Sequence, residues 1–186
     1  MYVEPQSEGF RQGDILDKVW FTPSTFHNVK DEQFTIPQAT VRRAHLVVVS
    51  HCCELTWYLN DQQKLQPRRP FVLVAPLAFS IPFSADTKEY EMLIENGENK
   101  PDNDPVQYFY YQANPKIGAE AIIDFSSISP IRNALLRSLE IKKLLELDIK
   151  HRHLFRIKLR EYFSRIPEEE WEIVKELFPD EFTKKE

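Results

Sequence analysis

Two observations on the amino-acid sequence predict an α+β fold, a small barrel or strongly bent sheet covered by helices. The first two thirds hold five or six short runs of β-branched and aromatic residues, bounded by prolines and polar turn residues. After Asp148 the apolar residues recur instead at three- and four-residue steps, the period of a helix. Strands followed by helices within 186 residues read as one α+β domain.

Gly13-Asp14-Ile15-Leu16, after a polar leader, opens the first strand, which continues through Val19-Trp20-Phe21. Residues 22–40 are a connection with Pro23 and Pro37, in which Phe26, Phe34 and Ile36 are packing points. Ala44-His45-Leu46-Val47-Val48-Val49-Ser50 is the clearest strand, and its unbroken β-branched run predicts burial on both faces. Residues 60–64 form a polar loop delimited by Pro67 and Pro70, before a second buried strand, Phe71-Val72-Leu73-Val74-Ala75, stops at Pro76. An acidic loop over 84–105 holds a short helix around Glu89–Ile94. Residues 106–111 and 121–125 are two further strands.

Asp148 is a natural N-cap. Beyond it Leu154, Phe155, Leu159, Tyr162 and Phe163 form one apolar stripe, extended a turn back by His151. Lys150, Arg152, Arg156, Lys158 and Arg160 take the remaining helix surface. Pro167 and Glu168-Glu169-Glu170 start another helix, with Trp171, Val174, Leu177 and Phe178 on its apolar side and Pro179 at its end. The expected organisation is one domain over 1–165, with 166–186 an additional acidic helix packed on it. The expected core includes Leu46, Val48, Phe71, Leu73 and Phe155, so that Leu73→Ala costs roughly 2–5 kcal/mol.

Composition excludes several classes. Apolar residues make up 42% and charged residues 28%, which rules out wholesale disorder. Thirteen Phe, seven Tyr and three Trp are enough to anchor a core. With four glycines the sequence holds neither G-x-G-x-x-G nor G-x-x-x-x-G-K-[ST], and so no glycine-rich phosphate cradle. No apolar run reaches the roughly 18 residues of a membrane span. The first residues have neither the basic nor the apolar stretch of a secretory signal. The two cysteines are adjacent, Cys52 and Cys53, and a disulfide between neighbours strains the intervening peptide, so a reducing cytoplasm is expected. The net charge of −5 hides a swing from −5 over 84–105 to +6 over 131–165 and back to −5 over 166–186. An acidic chain of this kind is not a dedicated nucleic-acid binder; any RNA binding should be weak and fall steeply with salt.

The chemistry-bearing segment is Ser50-His51-Cys52-Cys53-Glu54-Leu55, where a buried strand runs out into a turn. Three readings compete. His, Cys and Glu are ligands for a metal such as Zn²⁺, with His151 or His153 as a remote contributor, although no C-x₂-C or H-x₃-H spacing repeats. A cysteine paired with a histidine is a nucleophile, given an electropositive neighbour. Otherwise one cysteine is a small buried hydrophobe while Ser50 and Glu54 bond to turn amides. The two thiols should face opposite ways, the outward one near His51 or Glu54.

Gly13-Asp14-Ile15, the V-V-V-S strand after a basic pair, the V-L-V-A-P-L strand, the I-D-F-S-S-I-S segment and a final helix occur in an order that resembles the MazF/PemK (Kid-like) toxins. Ser50–Leu55 is similar to the [ST]-x-x-C-[DE]-[IL] motif of bacterial relatives of those proteins. The resemblance spans roughly residues 10–165 and implies an SH3-like barrel with C-terminal helices. The toxins are metal-independent endoribonucleases; here Arg42 and Arg43 lie near the place of their catalytic arginine, but Ala44-His45 replaces the R-P pair and Ala78-Phe79-Ser80 follows the P-L strand without Thr-Thr. The resemblance therefore implies a cytoplasmic binding or regulatory module of toxin–antitoxin or defence systems, with no cofactor or bound metal, working with a protein partner or as a homodimer. Two alternatives stand beside it: an endoribonuclease using Arg43 with His45 or His51, and a metal- or thiol-dependent site on Ser50, Cys52, Cys53 and Glu54.

Overall fold

The computed structural model describes residues 1–5, 9–21, 42–98, 105–136 and 141–164. The connection at 22–40, with Phe26, Phe34 and Ile36, and the acidic helix expected at 166–186 lie outside them. Ten strands and three helices are described: β1 (Tyr2–Val3), β2 (Ile15–Phe21), β3 (Arg42–Val48), β4 (Trp57–Leu59), β5 (Leu65–Pro67), β6 (Phe71–Pro76), α1 (Lys88–Glu95), β7 (Tyr108–Tyr111), β8 (Ala121–Asp124), β9 (Ser129–Arg132), α2 (Asn133–Leu136), β10 (Lys143–Leu147) and α3 (Ile149–Phe163). The fold is α+β, as the change of period predicts. Six strands form one antiparallel sheet in the order β1-β10-β2-β3-β6-β9, and β4-β5 and β7-β8 are separate antiparallel pairs. Among the described residues no ladder joins the edge strands β1 and β9. Register shifts interrupt β2 against β3 between Leu16 and Val19, and β10 against β2 between Lys143 and Leu145; such irregularities bend and twist a sheet. Among the described residues no helix is long and apolar enough to cross a membrane.

The central strand β3 is buried on both faces, as its composition predicts. Val47 and Val49 pack with Ile15, Phe109, Phe125 and Phe155 on one side, and Leu46 and Val48 with Leu16, Val72, Val74 and Leu55 on the other. The neighbouring strand β6 corrects the expected core. Val72 and Val74 are buried, but Phe71 is 55% and Leu73 38% exposed. The layer over their face covers Ala75 and Leu77 and stops short of Leu73. An all-apolar run carries no period that would reveal its uncovered half.

The residues expected as a polar loop at 60–64 are the tip of the β4–β5 hairpin, where Gln63 takes φ 55°. The helix expected around Glu89–Ile94 is α1. Thr87 caps its first turn through Oγ1 to the Tyr90 N–H, 3.3 Å, and Asn96 ends it in the left-handed conformation. The buried Asn96 amide then mimics a strand, donating to the Tyr110 carbonyl at 2.9 Å and accepting from its N–H at 2.7 Å. Asp148 caps α3 by accepting from the His151 N–H at 2.8 Å. On α3 the assignment of basic side chains to the surface holds for Lys150, Arg156 and Arg160 but not for Arg152 and Lys158, which are buried; Phe163, placed on the apolar stripe, is 62% exposed.

Arg152 is buried because it joins an ionic network beneath the start of β2. Lys143 Nζ lies 3.2 Å from Asp14 Oδ2 and 3.1 Å from Glu146 Oε2, and Arg152 Nη2 lies 3.0 Å from Glu146 Oε1 and 3.6 Å from Asp14 Oδ1. The more exposed Arg11 reaches Glu146 Oε1 at 3.0 Å. Gly13 lets the chain enter this corner: its φ is +87°, and a Cβ there would lie 2.6 Å from the Leu147 Cδ1. Burial pushes the Asp14 carboxyl up to about 6, with the charge of Lys143 pulling the other way. A carboxyl raised in the folded state binds its proton more tightly there than in the unfolded chain. Its contribution to stability is thus complete below about pH 4 and is lost as pH rises through about 6. Urea melts at pH 4.5 and 7 should show the native chain losing on the order of 2 kcal/mol across that window relative to Asp14→Asn. Parallel profiles for the two proteins would contradict this.

Candidate thiol site at the end of strand β3

β3 ends at a pinned point. The N–H groups of Val49 and Ser50 both donate to the Leu73 carbonyl, at 2.9 and 3.1 Å, and the buried Ser50 Oγ accepts from the Leu73 N–H at 2.8 Å. Ser50 therefore bonds to the neighbouring strand rather than to its own turn. Past it the chain makes a single 3-10 turn, Cys52–Glu54, with His51 at its N-cap. The His51 Nδ1 accepts from the Cys53 N–H at 3.4 Å, and Glu54 Oε2 accepts from the His51 N–H at 3.2 Å, a reciprocal cap that holds the turn shut. Beneath it the buried Asn133 amide, at the start of α2, donates to the carbonyls of Glu54 and Arg69 at 3.2 and 3.1 Å.

Within this frame Cys53 Sγ lies 3.1 Å from His51 Nδ1. Because Nδ1 already accepts the Cys53 N–H, its lone pair faces the turn and the ring proton belongs on Nε2. In that tautomer the thiol shares the one Nδ1 lone pair with the Cys53 N–H and lies within reach of a base. Cys53 is exposed, while Cys52 is half-buried. The two thiols have different neighbours, Cys53 meeting His51 and Cys52 meeting the helix α3, and they sit on a 3-10 turn rather than at alternating strand positions.

Opposite Cys52 stands a group the sequence reading missed. Arg156, on α3, places Nη2 3.8 Å from Cys52 Sγ and donates from Nε to Gln12 Oε1 at 3.1 Å. Gln12 is buried and donates in turn to the Val49 carbonyl at 2.6 Å. In sequence Arg156 is one cation among five on the helix, and nothing in the spacing joins residue 156 to residue 12. Only the packing of α3 against the β2–β3 corner supplies the electropositive neighbour a nucleophilic cysteine requires.

The remaining candidates are held elsewhere. Arg43 is exposed on β3, its Nε donating to the Lys18 carbonyl at 3.3 Å. His45 is buried, with Nδ1 3.3 Å from the Leu16 carbonyl and its ring edge-on to Phe79. Among the described residues no bond joins Arg43 or His45 to His51. His151 turns Nδ1 to the Asp148 carboxylate at 2.8 Å and His153 is exposed; neither is bonded to the turn. Among the described residues no three His, Cys, Asp or Glu side chains are grouped to hold a metal ion. No protein-family model matches the chain, and no curated protein does.

Proposed function

We propose that this chain is a binding or regulatory module of the MazF/PemK-like kind, serving a toxin–antitoxin or defence system, and that its working group is the Cys53 thiol. The observation that carries the reading is the 3.1 Å contact between Cys53 Sγ and His51 Nδ1 on an exposed, capped turn. A thiol within reach of an imidazole can lose its proton to it as the sulfur attacks, so it can capture an electrophilic ligand at neutral pH. The bent antiparallel sheet with a helix after its last strand is compatible with the SH3-like layout implied by the resemblance. The burial of His45 against the Leu16 carbonyl and the exposure of Arg43, which bonds to the Lys18 carbonyl, favour binding over the endoribonuclease reading, since RNA cleavage needs its acid–base and phosphate-stabilising groups at one accessible phosphodiester.

Alkylation by a neutral haloacetamide at pH 7 tests this. His51→Gln should react roughly a hundred-fold more slowly at Cys53, the low end of a general-base contribution, with a thermal melt lowered by no more than the loss of one cap. Equal rates would remove His51 from the site. In parallel, single-stranded RNA should survive incubation with the native protein with or without EDTA; cleavage abolished by Arg43→Ala would restore the nuclease reading.

A further inference from the structure

We infer that the thiol site is built for an anionic electrophile, one carrying a carboxylate that Arg156 receives while the cysteine attacks. The inference rests on the thiol reading above and adds a ligand class to it. Arg156 is exposed, yet its guanidinium is held rather than free. Gln12, 5% exposed and anchored on the Val49 carbonyl, fixes Nε, and this leaves Nη2 beside Cys52 Sγ. Among the described residues no carboxylate pairs with Arg156 and its Nη1 has no hydrogen-bond partner, so the end of the guanidinium away from Gln12 can still donate to a carboxylate or phosphate from Nη1 and the second Nη2 hydrogen. A buried amide spent on orienting a surface arginine would be wasted on a merely solvated charge. Here it places a fixed positive group beside Cys52, the chain neighbour of the thiol that has His51 as its base. An incoming carboxylate on Arg156 holds the carbon attached to it within the turn, where a sulfur can reach it.

Iodoacetate and iodoacetamide differ in charge alone as far as the site is concerned, and both react by the same step. The sulfur forms a bond to carbon, the carbon–iodine bond breaks with its electron pair leaving as iodide, and the thiol proton passes to His51 Nδ1 and then to water. The measured quantity is the ratio of the two alkylation rates on the native 186-residue chain, with the modified cysteine located by fragment mass spectrometry. Arg156→Gln should lower the iodoacetate-to-iodoacetamide ratio about three- to five-fold, the reach of one solvent-accessible ion pair, and 0.5 M salt should lower the native ratio toward that of the variant. Gln12→Ala should lower it part of the way with the charge still present. Lys88→Gln, the same change of charge at the start of α1, should leave it within experimental error. A ratio indifferent to Arg156→Gln overturns the anion assignment while leaving the thiol reading intact. A ratio lowered equally by Lys88→Gln overturns it in favour of net charge. Failure of both reagents to modify either cysteine overturns both readings.

Discussion

Glu146→Ala should lower the unfolding free energy by about 3–5 kcal/mol, the cost of removing one partner from a buried ionic group. Glu146 is 2% exposed and is the hub of the corner: its two carboxylate oxygens meet Lys143, Arg152 and Arg11. Without it, Lys143 and Arg152 still share the buried Asp14, but the second buried carboxylate that balances their two positive charges is gone, and Arg152 Nη2 keeps the Leu147 carbonyl at 2.8 Å. The network ties β10 and α3 to the start of β2, so the loss should appear in urea melts at pH 7 as a lower midpoint with an unchanged slope. A loss under about 1 kcal/mol would mean that the cations rearrange to water, as an exposed pair does.

Phe155→Ala should cost a similar amount, about 3–5 kcal/mol. The ring is fully buried and meets Phe109 and Phe125 edge-on at centroid distances of 5.0 and 5.8 Å, joining α3 to β7 and to the turn that follows β8. Leu73→Ala is the informative contrast. At 38% exposed it leaves no closed cavity, and its cost should fall below about 1 kcal/mol rather than in the 2–5 kcal/mol range its all-apolar strand implies. Comparable losses for the two variants would put Leu73 back in the core.

The contrast marks where sequence patterning is informative. The change from strand to helical period at Asp148 and the doubly buried β3 were legible because each rests on local regularity. The short strands β1, β9 and β10 were not: β1 is a two-residue strand, β9 contains a proline, and Lys143-Leu144-Leu145-Glu146-Leu147 reads equally as one turn of an amphipathic helix. Charge alone assigns Arg152 to solvent, the right default until the buried carboxylates of Asp14 and Glu146 are known to lie beside it. The site divides the same way. Ser50–Leu55 stands out in sequence because reactive residue types crowd one strand end. Gln12, Asn133 and Arg156 do not, because their contacts span 37, 79 and 104 residues of chain and exist only once the elements are packed.

The central claim is that the turn presents one reactive thiol, Cys53, with His51 as its base. The most direct measurement is a stopped-flow titration of the native protein with a chromogenic disulfide reagent at pH 7, followed by peptide mapping of the first equivalent. One thiol should react in the fast phase and map to Cys53, with the half-buried Cys52 following in a slower phase. Two fast thiols of equal rate, or a fast thiol at Cys52 alone, would contradict the account.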